Sequence, residues 1–230
     1  MISIITVAYN VESQIELTIK SILSLKTEHV EFIIVDGGST DGTVDIIMKY
    51  DDQIDYWMSE KDTGIYNAMN KGIAKATGKY ICFINAGDIL LKIPFQELDQ
   101  LESSIVAFPV KLSSGVIFYP IINDSIKLRN TLPHQGCYYS NTPNLLYDEK
   151  FKVFADFDLN QNYYKEKKEI TVFKKPTVAF HNMDGISHNK KFSNEIFEVV
   201  KNNYGKYFQL RSFIYFKMQG LMSRLRAVKK

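Results

Sequence analysis

FIIVDGG, residues 32–38, is an apolar run that stops at an acidic residue, Asp36. Two later segments repeat this arrangement, because IDYWMSEKD reaches Asp62 and YICFINAGD reaches Asp88. A fourth apolar segment, ISIITVAYN, begins the chain. Helix-length segments separate these runs, so the order is β-α-β-α-β-α-β. This alternation predicts an α/β fold with a mostly parallel sheet that is covered by helices on both faces.

The three acidic strand ends fall where sheets of this kind bind ligands, which is at the carboxyl ends of the strands. Carboxylates at that edge would repel a bare phosphate. They suit a sugar, a ribose, the edge of a base, or a phosphate that is bridged by a divalent cation. The sequence therefore predicts a ligand with one of these chemistries.

The composition is that of a globular protein, with 230 residues of which 45% are hydrophobic and 23% charged. No apolar stretch has membrane-spanning length, and two cysteines do not make a disulfide framework, so we expect a cytoplasmic protein. The net charge of +2 is unevenly spread. Residues 199–230 hold eight basic residues and no acidic one, which leaves −6 on the rest. An acidic body argues against nucleic acid as a partner.

Apolar residues at helical spacing predict helices near residues 12–25, after DGGSTDGT, and over 64–77, with Gly78 as a left-handed C-cap. Residues 154–164 predict a further helix. Residues 207–228 predict a long amphipathic helix with basic residues around its apolar stripe. Such a stripe packs on the protein itself, in a dimer, or on a membrane surface. We expect the membrane surface, because no acid offsets the basic residues.

Four segments, in order, resemble the family 2 glycosyltransferases of GT-A type. They are TVAYN (Thr6–Asn10), DGGSTDGT (Asp36–Thr43), EKDTGIYNAMNKGI (Glu60–Ile73) and GKYICFINAGD (Gly78–Asp88). The third is similar to that of enzymes that build bacterial exopolysaccharides and O-antigens. The resemblance implies a Rossmann-like GT-A fold. Residues 1–90 would form its nucleotide-sugar-binding half, 91–198 the acceptor and catalytic half, and 199–230 a basic helical tail.

The resemblance implies a nucleotide site at the strand ends. In the family, the residue matching Asp36 hydrogen-bonds the base, commonly uracil, and the segment of Asp62 lines the same pocket. From the residues alone, Asp36 could also shape a turn and Asp62 could cap a helix. Arg is usual in the family where this chain has Met69, so a positive partner for the nucleotide is either missing or supplied elsewhere, with Lys71 as the candidate. The expected nucleotide-binding residues are Thr6, Ala8, Tyr9, Asn10, Asp36, Asp62, Lys71, Asn85 and Ala86.

The resemblance also implies a divalent metal, Mn²⁺ or Mg²⁺, and a catalytic base. Asp88 is the expected metal ligand, with phosphate oxygens and waters completing the shell. Asn85 and Gly87 stand where carboxylates are common in the family, so the dependence on metal stays open. Asp156, in ADFDL (residues 155–159), matches the base that deprotonates the acceptor hydroxyl in an inverting transfer. Asp158 is expected to point elsewhere.

Three further residues are expected near the acceptor or the diphosphate: His134, Gln135 and Ser187. Ser187 ends the segment DGIS, which is similar to a family loop that closes near the donor. His181 and His188 are weaker candidates, because a lone loop histidine is more often solvated or structurally bonded.

The motifs together predict an inverting glycosyltransferase that moves a sugar from a nucleotide-sugar donor, UDP-sugar first, to a saccharide or polyprenyl-linked acceptor in surface polysaccharide synthesis. We expect it on the inner face of the plasma membrane, and a homodimer is left open. The alternative is a non-catalytic module that binds nucleotide sugars. A nucleotidyltransferase is excluded, because VAYNVESQ has neither the Gly nor the Lys that would cradle a triphosphate.

Overall fold

The structure, a computed structural model, describes residues 1–183, 192 and 194–227, with side chains up to residue 221. In chain order the elements are β1 (Ile2–Ala8), α1 (Glu12–Leu23), β2 (Val30–Asp36), α2 (Thr43–Met48), β3 (Tyr56–Ser59), α3 (Ile65–Ile73), β4 (Tyr80–Phe83), β5 (Ile89–Leu90), α4 (Phe95–Asp99), β6 (Ile105–Ala107), β7 (Val110–Leu112), β8 (Ile117–Phe118), β9 (Cys137–Ser140), α5 (Ala155–Lys165), β10 (Ile170–Val172), β11 (Ala179–His181) and α6 (Glu195–Ala227). Short 3₁₀ turns lie at Asp124–Lys127 and His134–Gly136.

Two sheets organise the chain. The larger has seven strands in the order β10-β6-β9-β4-β1-β2-β3, and β9 runs antiparallel to both of its neighbours. The smaller sheet has the order β5-β11-β7-β8 and joins three distant stretches of chain. The mostly parallel sheet was predicted. The smaller sheet was not, because its strands are only two or three residues long.

Helices cover both faces of the larger sheet, which explains the unbroken apolar runs of its central strands. Successive residues of a strand point to opposite faces. In β1, Ile5 packs in a cluster with Met69 of α3, while Ile4 packs in a second cluster with Ile19 of α1. Each face of β1 is thus buried, and the predicted α/β layering is confirmed.

The helices begin close to their predicted starts, and the third ends early. α3 ends at Ile73, so Gly78 is not its C-cap, and that prediction was wrong. Gly78 instead passes beside β1, where a Cβ on it would lie 2.6 Å from the backbone nitrogen of Ser3. The small residue is required by this close approach of two backbones and not by a helix end.

α6 is interrupted at Gly205, whose φ of 83° and ψ of 177° are not helical. We call residues 206–227 the distal α6. Phe197, before the break, contacts the rings of Phe213 and Phe216 at centroid distances of 5.6 and 5.9 Å. An unbroken helix would hold Phe197 and Phe213 roughly 24 Å apart, so the chain folds back on itself at Gly205. Within the described residues, no helix is both long and apolar enough to cross a bilayer.

Glu195, in the first turn of α6, connects this helix to the segment that leads into α5. Its carboxylate accepts hydrogen bonds from the backbone N–H groups of Lys152 and Val153, both at 2.7 Å, and of Phe154 at 2.9 Å. Backbone N–H groups at a helix start have no partner within their own helix. A side chain from another element therefore provides the acceptor here.

The substitution Glu195→Ala is expected to lower the free energy of unfolding by about 1–3 kcal/mol, because three backbone donors lose their acceptor. Urea unfolding followed by circular dichroism measures this. Glu198→Ala is the matched control, since Glu198 is exposed on the same helix, and its effect should stay within about 0.5 kcal/mol. Equal effects of the two substitutions would contradict the assigned role of Glu195.

Candidate functional site

The carboxyl ends of β1, β2, β3 and β4 lie along one edge of the larger sheet, and we call the surface at this edge the strand-end cleft. Asp36, at its base, is fully buried, and both of its carboxylate oxygens are engaged. They accept from the backbone N–H groups of Gly38 and Ser39 at 3.0 and 2.9 Å, and from the hydroxyls of Ser39 and Ser59 at 2.5 and 2.6 Å. Asp36 therefore fixes the turn after β2, which was the structural alternative left open by the sequence.

The carboxylate of Asp62, at the same edge, accepts fewer hydrogen bonds from the described residues than the carboxylate of Asp36 does. One oxygen, Oδ1, accepts from the backbone N–H of Gly64 at 2.9 Å. The other, Oδ2, lies over Gly37 so closely that a Cβ there would be 2.3 Å away. Partial burial raises the pKa of Asp62, and the negative charge of Asp36 adds to this effect. Asp62 Oδ2 is thus the better-placed acceptor for a ligand in the cleft.

The turn after β1 forms another wall of the cleft. Asn10, at a φ of 51°, accepts from the backbone N–H of Thr40 at 2.8 Å, which locks this turn to the turn after β2. The ring of Tyr9 is 60% exposed and lies against Gly37. Ala8 is buried at the floor. Thr6 lies deeper, with its hydroxyl bonded to the carbonyl of Ile84 at 2.7 Å, so it supports β1 and β4 from below the cleft.

The expected cation is near the cleft but has partners. Lys71 Nζ forms an ion pair with Glu60 at 2.7 Å and donates to the carbonyl of Lys61 at 3.3 Å. Its positive charge lowers the pKa of Asp62, against the larger effect of burial. Met69, where the family usually has Arg, is buried in the core. Lys71 is therefore the basic side chain that α3 places next to Asp62.

Asp88 is buried beside β4 in a compact polar cluster. Its Oδ2 accepts from Gln135 Nε2 at 2.9 Å, and its Oδ1 accepts from the backbone N–H of Asn182 at 3.0 Å. His181 Nδ1 lies 2.8 Å from Asp88 Oδ1 and 2.8 Å from Gln135 Nε2. The structure thus brings together Asp88, Gln135 and His181, which are far apart in sequence. His181 had been only a weak candidate.

The polar atoms of this cluster cannot all be satisfied by one another. If Nδ1 of His181 is protonated, it donates to Asp88, but its N–H then points at the N–H of Gln135. If Nδ1 is unprotonated, it accepts from Gln135, but its lone pair then faces the Asp88 oxygen. A cation between His181 and Asp88 resolves the conflict. The Oδ1 atom of Asn85, on the neighbouring turn, is buried and has no hydrogen-bond partner among the described residues.

The side chains of this cluster supply some of the ligands that a divalent cation needs. A carboxylate oxygen, an imidazole nitrogen and an amide oxygen are all known ligands of Mn²⁺ or Mg²⁺. The described residues nevertheless contain no group of three His, Cys, Asp or Glu side chains that could hold a metal alone. A cation here would therefore take its remaining ligands from water and from a bound substrate.

Asp156 lies in the first turn of α5 in a second polar cluster, with only 7% of its surface exposed. Tyr66 OH lies 3.2 Å from its Oδ1, and Asn130 Nδ2 donates to its Oδ2 at 3.1 Å. Burial, together with the negative charge of Asp156, raises the pKa of Tyr66 well above its usual value. Sequence reasoning missed Asn130 and Tyr66. Tyr66 lies inside the EKDTGIYNAMNKGI segment, which was the signal available for it.

Asp158 points away from Asp156, as expected from their spacing on a helix. It accepts from Asn203 of α6 at 2.9 Å and from Asn162 at 3.1 Å. Burial raises the pKa of Asp158. Its role is to connect α5 to α6, which makes it a poor candidate for chemistry in the cleft.

His134 lies between the two polar clusters. Its ring stacks on Phe83 at a centroid distance of 5.4 Å, and its Nδ1 is 3.9 Å from Asp156 Oδ2. Burial lowers the pKa of His134, although the charges of Asp156 and Asp88 oppose this. The structure thus places His134 and Gln135 at the site. Ser187 and His188 lie outside the described residues.

A sequence profile described as Glycosyl transferase family 2 matches residues 3–98. These residues hold the strand-end cleft and Asp88. Residues 3–98 are therefore similar to glycosyl transferase family 2, which confirms the resemblance drawn from the four motifs.

Two relatives show how far this similarity extends. The chain is 40% identical over 91 residues to a Bacillus subtilis protein named as a teichuronic acid biosynthesis glycosyltransferase, TuaG, and the match covers 38% of this chain and 36% of TuaG. It is 28% identical over 207 residues to a PGL/p-HBAD biosynthesis glycosyltransferase of Mycobacterium bovis, covering 80% of this chain and 78% of that protein. The stronger identity is thus confined to about a third of TuaG.

Two solved structures are similar in fold to this chain, and they confirm the predicted GT-A architecture. S. aureus TarS 1-349 in complex with UDP-GlcNAc superposes with a TM-score of 0.70 at 17% identity, covering 88% of this chain and 66% of TarS. Glucosyl-3-phosphoglycerate synthase from Mycobacterium tuberculosis, in complex with Mn²⁺, UDP and glucosyl-3-phosphoglycerate, gives 0.60 at 18% identity, covering 89% and 80%.

Proposed function

We propose that this protein is an inverting glycosyltransferase of family 2 that uses a nucleotide-sugar donor. The observation that carries the proposal is the separation of two buried carboxylates on either side of His134. Asp88 belongs to a cluster that suits a cation, and Asp156 belongs to a cluster of neutral donors. Such a division suits an inverting transfer, because a cation held by one carboxylate can act on the leaving group while the other carboxylate accepts the proton of the attacking hydroxyl.

The proposed chemistry assigns each cluster one task. A divalent cation at Asp88 and His181 would neutralise the departing diphosphate. Asp156 accepts the proton of the acceptor hydroxyl as its oxygen attacks the anomeric carbon from the face opposite the diphosphate. Asn130 donates to the Asp156 carboxylate and holds it in place for this transfer, while the hydroxyl of Tyr66, which donates to the carbonyl of Val153, lies beside Oδ1. Attack from the opposite face inverts the configuration at that carbon.

A uridine nucleotide is the proposed donor base. Asp62 Oδ2 offers an acceptor for the imide N–H of uracil, and the exposed ring of Tyr9 offers a surface for stacking. Asp36 supports this site by fixing the turn on which the cleft depends. The structural neighbours that hold UDP or UDP-GlcNAc are consistent with this choice.

The proposed acceptor is a saccharide, lipid-linked through a polyprenyl carrier, in the synthesis of a surface polysaccharide such as an O-antigen. The relatives named for cell-surface glycans support this class. The division into a donor half (1–90), an acceptor half (91–198) and a tail (199–230) remains a prediction, as does a position on the inner face of the plasma membrane. A non-catalytic nucleotide-sugar-binding module is the outcome that would replace the enzyme.

UDP, at about 100 times its Kd, should stabilise the protein by about 2.7 kcal/mol through mass action. Asp62→Ala should remove most of the accompanying rise in melting temperature while leaving the ligand-free melting temperature nearly unchanged. Asp36→Ala should also lose the response, but with a lower ligand-free melting temperature, because four donors lose their acceptor. Asp52→Ala, an exposed change at the opposite end of β3, is the control. A full UDP response in Asp62→Ala would contradict the proposed base contact.

Asp156→Asn should lower turnover by about 10² to 10⁴, because it removes the proton acceptor. UDP affinity should be unchanged. Asp158→Asn is the matched control on the same helix and should retain turnover. The assay measures UDP release from a panel of UDP- and GDP-sugars, with and without Mn²⁺. UDP binding without any turnover by the wild-type protein would favour the binding module, and an active Asp156→Asn variant would refute the assignment of the base.

The distal α6 supports the proposed contact with a membrane surface. One edge packs on the body, where Ser212 is buried and its hydroxyl donates to the carbonyl of Leu128 at 2.6 Å. The described members of the predicted apolar stripe, in contrast, are all exposed: Tyr207, Leu210, Ile214, Met218 and Leu221. This exposure argues against the alternative in which the stripe packs on the protein's own body. Since residues 199–230 hold basic residues and no acidic one, an anionic bilayer is the partner that complements both properties.

The double substitution Leu210→Glu/Ile214→Glu should abolish flotation with anionic liposomes at low salt. Gln209→Glu/Gln219→Glu adds the same charge outside the stripe and should retain most of the flotation. Each basic residue near the surface contributes about 1 kcal/mol, so the wild-type signal should fall as salt rises. If the wild-type protein does not float but sediments as a dimer that the stripe variant disrupts, the stripe is a contact between two copies instead.

A further inference from the structure

Ring contacts fix the orientation of His134, and hydrogen bonds to the described residues do not. It opens the 3₁₀ turn His134–Gly136, and only 12% of its side chain is exposed. The imidazole stacks nearly parallel on Phe83, with an interplanar angle of 20°, and Tyr147 lies on another side at a centroid distance of 6.2 Å. These apolar contacts fix the plane of the ring and therefore the directions of both nitrogens.

Both ring nitrogens of His134 are buried, and neither has a hydrogen-bond partner among the described residues. A neutral imidazole has one donor and one acceptor, and buried polar groups in proteins are normally bonded. The adjacent residue, Gln135, uses its amide on Asp88. The two nitrogens of His134 can therefore form hydrogen bonds to a ligand that enters the site. A phenylalanine in the same stack could not form them.

The nearest charged group shows what kind of ligand fits. His134 Nδ1 and Asp156 Oδ2 are 3.9 Å apart, which is too long for a hydrogen bond. A single hydroxyl oxygen can lie about 2.8 Å from both atoms, with an angle of about 90° between its two hydrogen bonds. It would donate its proton to the carboxylate and accept the N–H of the imidazole. Its second lone pair would remain available for bond formation.

We propose that His134 is an acceptor-positioning residue, which holds the attacking hydroxyl of a saccharide against Asp156. This inference rests on the proposed function. In the transfer, the hydroxyl proton passes to Asp156, the oxygen forms the new bond to the anomeric carbon, and the old bond to the diphosphate oxygen breaks with its electron pair. His134 keeps its own proton throughout. Burial lowers the pKa of His134, so the neutral ring that this role requires is the favoured form.

The test uses the full chain with two substitutions. His134→Phe keeps the stack on Phe83 and removes both nitrogens, while His134→Asn restores a donor near the position of Nδ1. The probe is release of UDP from UDP-sugars with water as the attacking hydroxyl, so no saccharide acceptor need be known. We expect His134→Phe to lower the turnover number at least tenfold with unchanged Kd for UDP, and His134→Asn to recover at least a third of wild-type turnover.

The melting temperature gives a second readout that does not depend on activity. Because the phenylalanine removes two unpartnered nitrogens, His134→Phe should melt at the wild-type temperature or above it. A lower melting temperature would mean that the imidazole is structural, and unchanged turnover would mean that it does not hold the hydroxyl; either result overturns the inference. A wild-type protein that binds no UDP would instead overturn the proposed function, and a lower melting temperature of His134→Phe would still show that the imidazole is structural.

Discussion

The site depends on the hydrogen bonds that surround the buried carboxylate of Asp88. It follows β4 and is bonded by Gln135, from the turn before β9, and by Asn182 and His181, at the end of β11. Burying a charge without partners is costly, so these segments must stay together for the carboxylate to remain there. The larger sheet and the smaller sheet therefore meet at Asp88, and the cleft takes its shape from this junction.

The sequence predicted the part of the fold that local patterns determine. The apolar runs, their acidic ends and the helical spacing between them led to the parallel strands, to the GT-A architecture and to the positions of Asp36, Asp62 and Asp88. The smaller sheet could not be predicted in this way. Its strands are too short to show a period, and their pairing depends on long-range contacts such as that of Ala179 with Leu90 and Val110.

The roles of individual side chains were harder to predict than their positions. Asp36 ends β2 and Asp62 follows β3, yet within the described residues the Asp36 carboxylate accepts four hydrogen bonds and the Asp62 carboxylate accepts one, from Gly64. That difference arises from Ser39 and Ser59, whose hydroxyls reach only one of the two carboxylates. Asn130 gave no sequence signal at all, because it lies in a loop without a motif and contacts Asp156 only through the tertiary fold.

The break at Gly205 has a mechanical consequence. It turns the distal α6 back, so that the hydroxyl of Ser212 donates to the carbonyl of Leu128. Leu128 is two residues from Asn130, whose amide donates to Asp156. A displacement of the distal α6 would therefore reach the loop beside the Asp156 carboxylate through Ser212 and Leu128.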